Sequence, residues 1–190
     1  DEIHLSSASP CRGAGSSLSA TGTDIDGQAW TNPPAIGCDE WYPEPLAVVQ
    51  PIPRPAPGNG QVNLVATFAG QEPMQFFWSK NGAPLTDDDH YTNSQTTSLL
   101  IHNFDLSDAG AYQVVASNAM GVATSQVAQV TVRCADPASA TPAAPYTNWA
   151  SAAMTLQEAV DAALPNDVVL ATNGIYTSGG RAEAGDLTNR

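Results

Sequence analysis

Between residues 62 and 132 the chain alternates. Val62, Leu64, Ala66 and Phe68 are apolar at every second position, with polar or smaller residues between them. That period of two is what a strand with one buried face requires. Gln75-Phe76-Phe77-Trp78 reads as a second strand, ended by the turn-forming Lys80-Asn81-Gly82. Leu99, Ile101 and Phe104 mark a third, with Leu100 and His102 pointing outward, and Tyr112, Val114 and Ala116 mark a fourth. Asn118 and Gly121 supply a hairpin turn, and Val127, Val130 and Val132 lie in the last strand. Short strands with turns at this interval predict a β-sandwich.

Outside that stretch the pattern changes. Residues 1–44 are a loop-rich extension full of Ser, Gly, Thr and Pro, and residues 45–133 form the strand region. Residues 134–148, CADPASATPAAPYTN, read as an extended, exposed Pro/Ala linker. Residues 149–190 begin helical and turn strand-like. Thr155 and Glu158 form a T-x-x-E capping box, Leu156, Val160 and Leu164 share one helix face, and Pro165 stops the helix. Asp167 then opens an apolar strand, Val168-Val169-Leu170, closed by Asn173-Gly174. The predicted class is mainly β: an antiparallel sandwich with a loop-rich N-terminal extension and a C-terminal segment of one short helix plus strand.

The most specific stretch is residues 108–118, DAGAYQVVASN. Asp108, Gly110 and Tyr112 stand where a tyrosine corner needs them, the ring buried and the hydroxyl bonded to backbone at the turn. With Trp78 in WSKNGAPL, the Leu99-x-Ile101 pattern and Asn118, this resembles an immunoglobulin-like domain of the I-set. The resemblance covers residues 45–133 and implies an immunoglobulin-like sandwich with Trp78 over its core. It departs from antibody-type domains at the two bridge cysteines, whose positions are occupied by Ala66 and Val114, so packing alone must join the sheets. Cysteine-free domains of this kind are familiar in bacterial extracellular proteins. Residues 149–190 resemble the capping helix and first coil of a right-handed parallel β-helix of the pectin-lyase-like kind. Residues 1–44, with SPCRGAG, TDIDGQAW and IGCDEW, resemble the C-terminal end of another. One coil cannot bury its face alone, and neither end reads as a natural terminus, so a piece of a longer polypeptide is expected.

Charge narrows the partners. Six Lys and Arg stand against 19 Asp and Glu, a net charge of −13. No Lys or Arg occurs between Lys80 and Arg133. Phosphate neutralisation needs clustered basic residues, so nucleic acid is excluded as a partner. No apolar run reaches the roughly 18 residues of a membrane span, which excludes insertion by a helix. Of three cysteines, Cys11 and Cys38 form the economical pair for a disulfide, with three unpaired thiols the alternative, and Cys134 is left over.

Candidate chemistry is sparse. No cofactor is expected beyond a possible calcium ion. Asp87, Asp88 and Asp89 before His90, and Asp24 with Asp26 before Gly27, offer oxygen-rich loops, although both also read as ordinary turns. A glycosidase needs two carboxylates across a cleft. Asp39, Glu40, Glu44, Glu72, Asp105 and Asp108 supply the acids without pairing them. No G-x-S-x-G occurs, and His4, His90 and His102 read as surface residues. Trp30, Trp41, Tyr42 and Trp149 lie outside the sandwich core and are candidates to stack on sugar rings, or to pack the domain ends. The expected role is a non-catalytic extracellular spacer or interaction module, of adhesion type, in a large bacterial surface or secreted protein. The alternative is a carbohydrate-binding module, or an active fragment, of a polysaccharide-degrading hydrolase or lyase. The expected partners are protein or polysaccharide at the cell exterior.

Overall fold

Alternation becomes pairing in the computed structural model, which describes residues 5, 8–16, 18, 21–25, 27, 29–37, 43–56 and 60–177. Nine strands build the sandwich: β1 (Leu46–Pro55), β2 (Val62–Ala69), β3 (Gln75–Lys80), β4 (Ala83–Pro84), β5 (Tyr91–Thr92), β6 (Ser98–Ile101), β7 (Gly110–Ser117), β8 (Val122–Thr124) and β9 (Ala128–Val130). One sheet runs β1-β2-β6-β5; the other runs β4-β3-β7-β8, with β9 also on β7. Every pairing in the two sheets is antiparallel. The predicted mainly-β, immunoglobulin-like sandwich therefore forms.

The core derives from the alternation. Along β2 burial switches at each residue, with Val62, Leu64, Ala66 and Phe68 inward. Leu64, Leu99 and Ile101 from one sheet meet Trp78, Tyr112, Val114 and Val130 from the other, all essentially without solvent contact. Trp78 pairs with Val114 across β3 and β7 and sends its indole N–H to Thr96 O at 2.8 Å. Ala66 and Val114 belong to this same cluster. A fully buried Val contributes about 1.5–3 kcal/mol, which offsets part of the roughly 2–5 kcal/mol that a native bridge supplies.

β8 and β9 are one edge interrupted at Ser125. There Ser125 N donates to Val114 O at 2.9 Å, while its Oγ accepts from Val114 N at 3.1 Å. A hydroxyl thus completes the ladder at the position that departs from the bridged domains. Val127, expected within the last strand, sits in the interruption and is exposed. β1 carries Pro51, Pro53 and Pro55 along a sheet edge, where a missing N–H costs no ladder bond.

Beyond β9 the chain departs from expectation. β10 (Val132–Ala135) is buried at all four positions, and Cys134 belongs to the sandwich core cluster. The stretch read as an exposed linker from residue 134 therefore begins inside a buried strand. β10 pairs in parallel with β11 (Val168–Ala171), and Ala135 forms a further parallel bridge to Ala153. Between them lies α1 (Leu156–Asp161), with the predicted Thr155–Glu158 capping box in place. The aliphatic row read as one helix face is exposed: Leu156, Val160 and Leu164 are 41%, 53% and 66% accessible, while Ala159 is fully buried. Ala135, Ala153 and Ala159 form their own cluster, with Tyr146, Val169 and Tyr176 packed against it, and the small Ala159 side chain allows a close approach of the helix.

Candidate functional site

Three of the polar residues that the sequence offers for chemistry, His90, Asp105 and Asp108, meet at the corner before β7. A 3-10 turn, Leu106–Asp108, is capped by Asp105, whose Oδ1 accepts from Ser107 N at 2.7 Å. Asp108 returns the bond, its Oδ2 accepting from Asp105 N at 3.0 Å. Tyr112 then donates its hydroxyl to Asp108 O at 2.9 Å, the predicted corner. Burial pushes the Tyr112 hydroxyl far above the ordinary phenol range, so it remains a donor. Gly110 has φ 158 and closes on the Asn81 side chain, where an added Cβ would lie 2.9 Å from Asn81 Oδ1.

The other face of Asp108 is not legible in the chain. Its Oδ1 accepts from His90 Nε2 at 2.8 Å and from Tyr91 Oη at 3.1 Å, and Lys80 Nζ lies 3.5 Å away. Lys80 also donates to Ser107 O at 2.7 Å and stands 5.6 Å above the Tyr112 ring. The Asp108 side chain is 1% accessible. A carboxylate so enclosed, with donors on both oxygens, holds the corner and cannot reach a substrate. His90 and His102, expected as surface residues, are both half-buried and bonded, and His4 lies outside the described residues. His102 takes Gln61 Nε2 on Nδ1 at 3.1 Å and lies 2.9 Å from Thr92 Oγ1 through Nε2.

In the two candidate calcium loops the described residues make local turn bonds. Asp88 Oδ1 accepts from His90 N and Tyr91 N, at 2.8 and 2.6 Å, and the amides of Tyr91 and His90 hold its carboxyl below the usual range. Asp87 Oδ1 accepts from Ser94 N at 2.7 Å, and Asp89 is exposed. Asp24 is buried and its backbone O accepts from Gly27 N at 3.2 Å, a turn; Asp26 lies outside the described residues. Among the described residues, no group of three or more His, Cys, Asp or Glu is placed to hold a metal ion.

Of the aromatic candidates, Trp30 lines a cleft in the N-terminal extension and Trp149 is exposed on a 3-10 turn, Trp149–Ser151. Trp41 and Tyr42 lie outside the described residues, as do Asp39 and Glu40. Cys11 is a half-buried free thiol, and Cys38, its expected partner, lies outside the described residues. Cys134 is fully buried, and desolvation raises its thiol above the ordinary range. Glu72 Oε2 accepts from Met74 N at 2.7 Å, another local turn bond. The glycosidase expectation gains no support from these acids.

A second buried pair joins the sandwich to the C-terminal segment. Arg133 Nε and Nη2 lie 2.8 and 2.7 Å from Asp167 Oδ2, with the two side chains 7% and 6% accessible. Arg133 also donates from Nη1 to Pro145 O at 2.9 Å, and Asp167 Oδ2 accepts from Leu164 N at 2.9 Å. Nothing in the spacing of residues 133 and 167 announces this clamp.

Residues 49–132 match the family model of the immunoglobulin I-set domain. This region has an immunoglobulin-like sandwich fold. Among solved structures, the domain is similar to titin M4, at 24% identity over 47% of this chain and 97% of that one, with a TM-score of 0.38. It is also similar to a twitchin kinase fragment from C. elegans, at 22% identity over 45% of this chain and 20% of that one, TM-score 0.38. Extracellular domains 3–5 of Drosophila OTK match at 21% identity over 49% of this chain and 33% of that one, TM-score 0.38. The chain thus spans one fifth of the twitchin fragment and one third of the OTK fragment.

Proposed function

We propose that the chain is a non-catalytic spacer and interaction module acting outside the cell. One observation carries the spacer reading: β10 begins a single residue after β9 and is at once buried in the sandwich core and paired with β11. The Arg133–Asp167 pair closes over the same junction. A junction made of buried strand and a buried ion pair transmits orientation, whereas domains joined by a solvated linker with no packed interface move relative to one another.

In this reading the domain stands between β-helical regions of a large bacterial surface or secreted protein. The parallel pairing of β10 with β11 and of Ala135 with Ala153 supports the C-terminal part, because stacked parallel strands are how coils bury their faces. Contact with a protein partner would use a free sheet edge. β8, with Val122 exposed, is open to an added strand, whereas prolines blunt β1.

Hydrogen–deuterium exchange on the whole chain tests the rigid junction. Cys134 N donates to Tyr146 O at 2.7 Å and Thr172 N to Ala135 O at 3.0 Å. These amides should exchange as slowly as that of Val114. In Asp167→Ala, protection across 134–172 should fall while Val114 keeps its own. Exchange of Cys134 and Thr172 at unfolded-chain rates in the unaltered protein would sink the reading.

A further inference from the structure

The geometry points to a binding site for one neutral sugar ring in the N-terminal extension, a function separate from spacing. Two loop segments cross there. Gly15 N donates to Pro34 O at 2.7 Å and Ile36 N to Cys11 O at 2.8 Å, tying residues 11–15 to 34–36. A Cβ on Gly15 would fall 2.7 Å from Ala35 O, so only glycine permits this approach. Thr23 and Ala29 form an antiparallel bridge around the Asp24–Gly27 turn. The crossing borders an open cleft of about 240 Å³.

Its lining decides the ligand class. Trp30, Pro34 and Ala35 supply apolar surface, and Ser16, Thr21 and Thr23 supply hydroxyls. Ser16, Thr21 and Thr23 are exposed and Trp30 is half-buried, so the hydroxyls and the indole can be reached from solvent. The described lining residues are uncharged, and the chain's net charge of −13 disfavours anionic ligands such as phosphates and uronates. The volume lies just below the roughly 300 Å³ at which small-molecule sites usually begin. What fits is small, neutral and hydroxyl-rich, with one apolar face. A pyranose ring has these properties: its C–H face stacks on Trp30, and its hydroxyls exchange bonds with Ser16, Thr21 and Thr23, each able to donate and accept.

The test is fluorescence and calorimetric titration of the whole chain with methyl glucoside, methyl galactoside, methyl mannoside, cellobiose, glucuronate and inorganic phosphate. The expected result is saturable quenching by at least one neutral sugar. Affinity should drop about tenfold in Trp30→Ala, the scale of one lost aromatic contact. It should drop several-fold in Thr23→Val, which keeps the side-chain shape, and stay the same in Trp149→Ala. Circular dichroism checks that each variant is folded. No saturable response to any neutral sugar overturns the proposal. So does binding unchanged in both Trp30→Ala and Thr23→Val, or glucuronate or phosphate binding more tightly than every neutral sugar.

Discussion

Asp108→Asn keeps the shape of the corner and removes its charge. In the folded protein Oδ1 serves His90, Tyr91 and Lys80, and Oδ2 serves Asp105 N. An amide has one acceptor oxygen, so its NH₂ must face either the Asp105 amide or the cationic side, donor against donor. A lost bond to a charged group costs about 1.5–3 kcal/mol, and unpairing a buried ion pair costs about 3–5 kcal/mol. Relief comes from Lys80, which keeps Ser107 O at 2.7 Å, and from His90, 34% accessible and able to turn to water. The expected loss is therefore about 3 kcal/mol, the lower end of the buried-pair range. For a domain of this size that lowers Tm by roughly 12–24 °C. Urea unfolding at pH 7, monitored by tryptophan emission and far-UV circular dichroism, should show a lower midpoint at an unchanged slope. His90→Gln, as control, should lose about 1 kcal/mol or less, as an exposed partner would. A loss below about 1 kcal/mol in Asp108→Asn would refute the claim that this buried carboxylate locks the corner.

Other expectations are quicker to check. Ser125→Ala leaves the buried Val114 N–H without its acceptor and should cost about 1–3 kcal/mol by urea unfolding; an unchanged midpoint would mean the backbone shifts to repair the ladder. Asp88 and Asp105 are held below the usual carboxylate range, Asp88 by the Tyr91 and His90 amides and Asp105 by the Ser107 hydroxyl and amide. Folded values below the unfolded ones mean that their stabilisation is present above about pH 4 and is lost as pH falls through the folded values. Urea midpoints from pH 5 to 2 should therefore decline, and less steeply in Asp88→Ala; equal slopes would refute the assignment. Cys134, buried and with its thiol raised, should resist iodoacetamide in the native chain and react in 8 M urea, as read by peptide mass spectrometry. Rapid native labelling would show that the β10–β11 junction opens.

What the chain announces by itself is local. The two-residue period of Val62, Leu64, Ala66 and Phe68 needs only pleated backbone and one dry face, so β2 is readable from it. The tyrosine corner spans four residues, and the Thr155–Glu158 box spans three, so their bonds depend on neighbours that sequence already sets side by side. Tertiary structure decided the rest. His90 and Lys80 reach Asp108 because β3 and the strand before β6 pass the same corner, a meeting no spacing encodes. Ser125 replaces a backbone partner only because the edge breaks opposite Val114. The amphipathic period of α1 is real, but the helix packs through Ala159 against Ala135 and Ala153, with Tyr146, Val169 and Tyr176 around them, and Leu156 and Val160 turn outward. Periodicity names a face that can be buried; which face is buried depends on the shape of what lies opposite, and that exists only once the chain has folded.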